Sequence, residues 1–305
     1  MNVLEIKQLY KNFGNHAVIN GLDLSVPEHS VYGFVGQNGA GKTTTMKMVL
    51  GLLKPDNGEI TVCGEKANYG ASKSNRHIGY LPDAPEFYGY MEPLEYLSLC
   101  GNITGLSKTR IKERSAELLS LVGLADVKRR IGGFSRGMKQ RLGIAQALLN
   151  EPRLLICDEP TSALDPIGRK EILDVLSAVK GKATVLFSTH ILSDVERICD
   201  HVAVLHGGKL ALYGTLSEIK KRHRHDCFVV DFKSAEEASY FMDCEELNVP
   251  TVEAVQTGHI LTIKILDIKS GGQFIIDLLS KKRITPLKFE IMEPTLESLF
   301  IEVVK

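Results

Sequence analysis

Along the first two-thirds of the chain, short apolar, β-branched-rich runs alternate with longer stretches that carry apolar residues at helical spacing. Val31–Val35, Arg153–Cys157 and Thr184–Ser188 are of the first kind, and Gly, Pro or Asp bound them. Such runs predict buried strands of a largely parallel sheet. Ser135–Asn150 and Gly168–Val179 are of the second kind and predict helices between the strands. That alternation points to an α/β core. Val3–Leu9 and Leu22–Val26 read as an added antiparallel part.

The pattern changes around Lys220–Asp226, a short basic run without an apolar face that reads as a solvated linker. The expected domains are therefore 1–220 and 221–305. In the second, strands are predicted at Cys227–Phe232, Val249–Val255, His259–Leu266 and Pro286–Met292, and helices at Ala235–Cys244 and Gln273–Lys282. The order β-α-β-β-α-β is that of a ferredoxin-like split unit. A last helix is expected over Thr295–Val303, with Glu293-Pro294-Thr295 as its start signal. No repeat or low-complexity tract interrupts the chain.

Composition narrows the class. The 305 residues carry 37 basic and 37 acidic side chains and are 44% hydrophobic, which argues against long disorder and against a general nucleic-acid binder. No apolar run approaches the ~18 residues needed to cross a bilayer. The opening MNVLEIKQLYKNFG lacks the apolar core of a signal peptide. The expected location is cytoplasmic. Cys63, Cys100, Cys157, Cys199, Cys227 and Cys244 are scattered with no CxxC pair, so they read as reduced, mostly buried thiols.

Two segments carry the chemistry. Gly36-Gln37-Asn38-Gly39-Ala40-Gly41-Lys42-Thr43 fits G-x-x-x-x-G-K-[ST], directly after the strand VYGFV and before a helical stretch. Glycines let backbone N–H groups turn around an anion, and the new helix adds its positive end. Lys42 can reach terminal phosphates, and the Thr43 hydroxyl can hold Mg²⁺. The second segment is the strand ending in Cys157, followed by Asp158 and Glu159. Carboxylates at the C-terminal edge of a parallel strand face the crevice where ligands bind. Asp158 would reach Mg²⁺, and Glu159 would act as general base or orient the attacking water.

With these motifs the chain resembles the nucleotide-binding subunits of ABC transporters, over about Leu4–Lys220. Phe134-Ser135-Arg136-Gly137-Met138 stands where that family carries its Leu-Ser-Gly-Gly-Gln signature. Ser135 and Gly137 match; Phe134, Arg136 and Met138 depart. The Ser-x-Gly-Met-Lys-Gln-Arg form is similar to ABC-2-type exporters, such as those for bacitracin, multidrug, lipid or sodium export. Ser162-Ala163-Leu164-Asp165 resembles the D-loop, His190 the switch histidine and Phe13 the adenine-stacking aromatic, with Tyr10 as its fallback. Asp83 stands where the Q-loop usually has Gln; it lacks an amide donor and has a shorter reach.

The resemblance implies a P-loop NTPase core with an antiparallel β subdomain and a helical signature subdomain, plus the small C-terminal α+β domain. It implies ATP and Mg²⁺ as ligands. Phe13, Gly36, Asn38, Gly39, Gly41, Lys42, Thr43, Thr44, Asp83, Ser135, Gly137 and Asp165 are the expected nucleotide contacts. Thr43, Asp83 and Asp158 are expected on the metal side, and Glu159 and His190 in catalysis. Because the phosphate loop and the signature meet opposite faces of a nucleotide, two copies are expected to pair head to tail around two ATP. A separate membrane permease is expected to dock near Ala84–Leu99, with Phe87, Tyr88 and Tyr90 as contacts, which would place the chain on the inner face of the cell membrane. The ending Met292–Phe300 resembles the tails of the same exporters. Against this stand a non-transport ABC ATPase working on ribosomes or nucleic acid, and a regulatory module with a dead site. The single cassette, the balanced charge, Glu159 and His190 favour the transport motor.

Overall fold

The computed structural model describes residues 1–222, 227–249, 252–265, 268–292 and 295–304. They fall into two compact units, one of Met1–Leu216 with the chain's last residues from Val303, the other of Ser217–Glu302.

The first unit opens with the antiparallel strands β1 (Asn2–Phe13) and β2 (His16–Pro27), where Leu4 faces Val26 and Phe13 faces His16 across a tight turn. Strand β3 (Val31–Val35) is buried at every position and runs into the glycine loop and helix α1 (Lys42–Val49). The strands β4 (Asn57–Val62) and β5 (Glu65–Lys66) then extend the first pair, giving the order β2-β1-β4-β5. After β6 (Ile78–Leu81) the chain forms the helices α2 (Pro93–Ile103), α3 (Lys108–Leu121) and α4 (Arg136–Leu148). Strand β7 (Leu154–Cys157), helix α5 (Pro166–Val179), strand β8 (Thr184–Thr189) and helix α6 (Leu192–Ile198) follow. The unit ends in β9 (His201–His206) and β10 (Lys209–Thr215).

The second sheet has the order β10-β9-β3-β8-β7-β6. Strands β3, β6, β7, β8 and β9 are parallel, and β10 is added antiparallel at the edge. The burial patterns explain the placement. All of β3, β7 and β8 is buried, as a central parallel strand requires, whereas β10 alternates between exposed and half-buried positions. The core between the two sheets collects Leu4, Ile6, Leu22 and Ile60 from one and Phe34, Ile156 and Leu186 from the other, with Met46 and Val49 of α1. Each such buried side chain contributes about 1.5–3 kcal/mol.

Helix starts follow local chemistry. Ser107 and Ser135 accept the N–H groups of Arg110 and Met138 and so cap α3 and α4. Pro93 opens α2 behind a reciprocal capping pair of Glu92 and Glu95.

The second unit begins with α7 (Leu216–Arg222), so the basic run read as a linker starts inside a helix. A run of long side chains without Gly or Pro is compatible with a helix, which absence of an apolar face did not announce. The rest of that run lies outside the described residues. Strand β11 (Cys227–Asp231), helix α8 (Ala235–Met242), strands β12 (Val252–Thr257) and β13 (Ile260–Ile265), helix α9 (Ile268–Lys281), strand β14 (Lys288–Met292) and helix α10 (Leu296–Val304) follow. The sheet order is β12-β13-β11-β14, antiparallel throughout, as a split βαβ unit requires. Phe228, Val230, Phe241, Leu261, Ile263 and Ile275 centre its own core. Helix α9 begins at Ile268, ahead of the expected Gln273, and takes in Gly271 and Gly272. A Cβ there would come within 3.0 Å of Ile265 and 3.1 Å of Phe228, so glycine lets the helix seat closely on the sheet. The start signal Glu293-Pro294 lies outside the described residues.

Candidate active site

The C-terminal edge of the parallel sheet gathers the chemistry. Gly36 to Gly41 link β3 to α1 as a turn closed by Ala40 N–H donating to Gln37 O at 3.1 Å. Gly41 has φ 107°, and a Cβ on it would stand 2.6 Å from Ile19, so neither the backbone nor the space admits a side chain. Asn38 and Gly39 are exposed at the tip, Gly36 is buried, and Thr44 is half-buried in the first turn of α1.

Lys42 is only 6% exposed. Its ammonium donates to Gly36 O at 2.6 Å and Gln37 O at 3.2 Å, and it forms an ion pair with Glu159 Oε1 at 3.2 Å. The loop thus closes around its own cation. Thr43 Oγ1 donates to Asp158 Oδ2 at 2.8 Å, and Ser188 Oγ donates to Asp158 Oδ1 at 2.6 Å. Asp158 is buried, and its N–H donates to Leu81 O of β6 at 2.8 Å. The Thr43 and Asp158 oxygens beside the glycine loop are hard donors of the kind that Mg²⁺ prefers, so these two residues could hold it.

Glu159 follows directly, at φ 48°. A non-glycine residue there carries local strain of about 1–2 kcal/mol. Its N–H donates to Ser188 Oγ at 3.0 Å, and its Oε2 lies 2.9 Å from His190 Nδ1. Glu159 therefore stands between Lys42 and His190, one partner per carboxylate oxygen. Burial and the nearby Asp158 push the Tyr80 hydroxyl up to about 12, and burial raises the Cys157 thiol far above its ordinary range, so both stay neutral beside the acids.

Ser135, Gly137 and Asp165 lie on a second face. Ser135 caps α4, and Gly137 has open space in which a Cβ would meet nothing nearer than Leu164 at 3.9 Å. Asp165 caps α5 by accepting Gly168 N–H at 3.1 Å. The signature start and the D-loop are thus neighbours. Among the described residues, no hydrogen bond joins Ser135, Gly137 or Asp165 to the Lys42–Glu159 cluster.

Asp83 is not brought to Thr43 and Asp158 either. Its carboxylate pairs with Arg136 at 3.0 Å, because α4 presents an opposite charge there, and its carbonyl accepts the Gln140 amide at 2.5 Å. The other two signature departures have a partner as well. The Arg129 guanidinium lies 5.7 Å from the Phe134 ring centroid and 2.8 Å from Met138 Sδ.

Phe13 is half exposed at the tip of the β1–β2 hairpin, with Lys11 Nζ 5.4 Å from its ring centroid. Tyr10 is half-buried and its hydroxyl donates to Gln8. Of the aromatics near Asp83, Phe87 packs edge-on against Tyr96 at 5.0 Å, whereas Tyr88 and Tyr90 are exposed. Sequence reasoning missed Ser188, although its place two residues before His190 on a buried strand aims it at the same edge. It also missed Asp194, a buried carboxylate that accepts Thr161 Oγ1 at 2.7 Å and pairs with Arg169 at 2.6 Å. That trio anchors the segment between Glu159 and the D-loop.

Among the described residues, no helix is long and apolar enough to cross a membrane. Residues 19–162 match the family described as ABC transporter, and residues 214–304 match the C-terminal domain of DrrA1-3-like ATP-binding proteins. The chain is 39% identical to the ABC transporter ATP-binding protein YxlF of Bacillus subtilis (strain 168), over 99% of each. It is 36% identical to the bacitracin transport ATP-binding protein BcrA of Bacillus licheniformis, over 99% of this chain and 97% of that one. A solved ATP-binding subunit of an ABC transporter superposes with a TM-score of 0.65 at 35% identity, covering 72% of this chain and 92% of the other. Similar to these relatives from end to end and built on the same cassette, the chain belongs to the ATP-binding subunits of ABC transporters.

Proposed function

We propose that the chain hydrolyses ATP at sites shared by two head-to-tail copies and so drives a separate membrane permease in the direction of export. The observation that carries this is the convergence of Lys42, Thr43, Asp158, Glu159, Ser188 and His190 in one cluster, joined by hydrogen bonds and the Lys42–Glu159 ion pair.

Each residue has a task set by its present contacts. Lys42 holds two loop carbonyls and Glu159; arriving phosphates offer it a denser negative charge, so it exchanges these partners for phosphate oxygens. That exchange strips Glu159 of its cation and leaves it free to accept a proton from water. His190, with its proton on Nδ1, donates to Glu159 Oε2 and holds the carboxylate in place. Thr43 and Asp158 would hold Mg²⁺, which would supply positive charge against the phosphates. Ser188 fixes both acids at once by donating to Asp158 and accepting from Glu159 N–H. Phe13 offers an exposed ring to the base.

The second face completes the site in trans. Ser135 and the N–H groups of the α4 start would receive the terminal phosphate of the partner's nucleotide, since a helix N-terminus favours an anion. Tyr88 and Tyr90, both exposed, are the contacts this reading offers to the permease. The 36% identity to a bacitracin transport protein supports a transport role, with export drawn from the exporter-like signature. The test is the solution mass and ATPase rate of the purified chain with and without ATP and Mg²⁺. An ATP-dependent doubling of mass with turnover is expected, and a monomer that binds ATP without turnover overturns the reading.

A further inference from the structure

Two departures from the family pattern lie in separate segments, an acid at Asp83 and a cation at Arg136, and the fold brings them to 3.0 Å. Both side chains are about half exposed, 51% and 45%. An ion pair at that exposure is weak and screened by salt, so it holds a position without locking it. The main chain beneath it is fixed differently. Gln140, fully buried on α4, donates to the carbonyl of Asp83 at 2.5 Å. Arg136 and Gln140 are four residues apart and therefore share one face of the helix. The backbone of Asp83 is tethered while its carboxylate remains free to change partners.

Arg136 stands between Ser135 and Gly137, at the first position of a thirteen-residue helix with no acid in its own first turn. Asp83 is the acid that serves this end. Under the shared-site reading, on which this inference rests, the terminal phosphate of a partner's ATP arrives at the same end. It brings more negative charge than one carboxylate, and its oxygens can accept in pairs from the planar fork of a guanidinium.

We propose that Arg136 is an exchangeable phosphate ligand: it pairs with Asp83 while the face is empty and passes to the nucleotide phosphate of a second copy when the two chains close. Asp83 therefore acts as a placeholder that keeps the cation in position and is released by the closure.

The test is ATP-driven pairing of the full-length chain, measured by sedimentation in the Glu159→Gln background with ATP and Mg²⁺. Arg136→Ala is expected to raise the ATP concentration for half-pairing at least ~10-fold. The charge swap Asp83→Arg with Arg136→Asp separates this role from a structural one. The swap restores an ion pair but presents a carboxylate to the incoming phosphate, so pairing is expected to be weaker than with Arg136→Ala. Circular dichroism and urea melts of each variant check that the exposed substitutions leave the fold intact. Pairing by the swap within about 2-fold of the parent, or an unaffected Arg136→Ala chain, overturns the exchange and leaves the shared site standing. If the Glu159→Gln parent itself does not pair with ATP, the shared site falls, and the exchange with it.

Discussion

The two faces assigned to nucleotide differ in how finished they are. The phosphate-loop face is assembled within one chain: Lys42, Thr43, Asp158, Glu159, Ser188 and His190 come from three parallel strand ends and are already tied to one another. The signature face is made of helix starts whose polar groups serve their own helices. Ser135 caps α4, Asp165 caps α5, and Gly137 leaves open space. The first face stores its charge internally, as Lys42 against Glu159. The second keeps its one added charge at the surface, as Arg136 against Asp83. A buried pair loses heavily when one member goes, whereas an exposed pair loses little. Substitutions on the two faces should therefore differ in size and in what they report.

The largest effect is expected at Glu159. Glu159→Gln keeps the shape and removes the proposed base, so turnover should fall about 100- to 10,000-fold in a phosphate-release assay. Nucleotide affinity should not fall with it, because the same change removes the ion-pair partner that Lys42 must leave. Turnover within about 10-fold of the parent would remove Glu159 from the role of base.

Lys42→Ala comes next. It deletes the cation that the loop encloses, and the hydrogen bonds it would make to phosphate are charge-assisted. A loss of about 100-fold in ATP affinity is expected, read by titration with a fluorescent nucleotide. Parent-like affinity would mean that the backbone N–H groups alone hold the phosphates. Phe13→Ala is smaller again. Loss of one stacking ring should weaken ATP by about 3- to 10-fold and leave the affinity for free triphosphate unchanged.

The contrast between the faces also explains what the sequence disclosed. The phosphate loop and the Asp158–Glu159 strand end could be read because they depend on local spacing: glycines, then lysine, then helix; a buried run, then two acids. The parallel core was equally legible, since Val31–Val35 and Thr184–Thr189 are apolar enough to admit no surface placement. The contacts that tie the site together were not legible. Ser188, Asp194 with Arg169, and Asp83 with Arg136 join segments 25 to 53 residues apart, and such pairing follows from topology rather than from any local pattern. The second unit is legible as a chain order of strands and helices, with clear alternation in Ile260–Ile265. The start of its helix α9 is not legible, because glycine usually signals a break, whereas Gly271 and Gly272 serve close packing against Ile265 and Phe228.

The smallest expected effect tests the signature face where its two tasks overlap. Ser135→Ala removes the hydroxyl that accepts Met138 N–H and should lower stability by about 1 kcal/mol in urea unfolding. That loss alone would say only that Ser135 is a cap. Ser135→Asp separates the tasks, because aspartate caps a helix as well as serine does and its charge favours the N-terminus. Stability should then stay within about 0.5 kcal/mol of the parent. The same carboxylate would face the terminal phosphate of the partner's nucleotide, and like charges in a closing interface repel strongly. A chain that is as stable as the parent but no longer pairs in the presence of ATP places the phosphate at Ser135. A Ser135→Asp chain that still pairs as the parent does would reduce Ser135 to its cap, and the incomplete face would have to be completed by something other than a second nucleotide site.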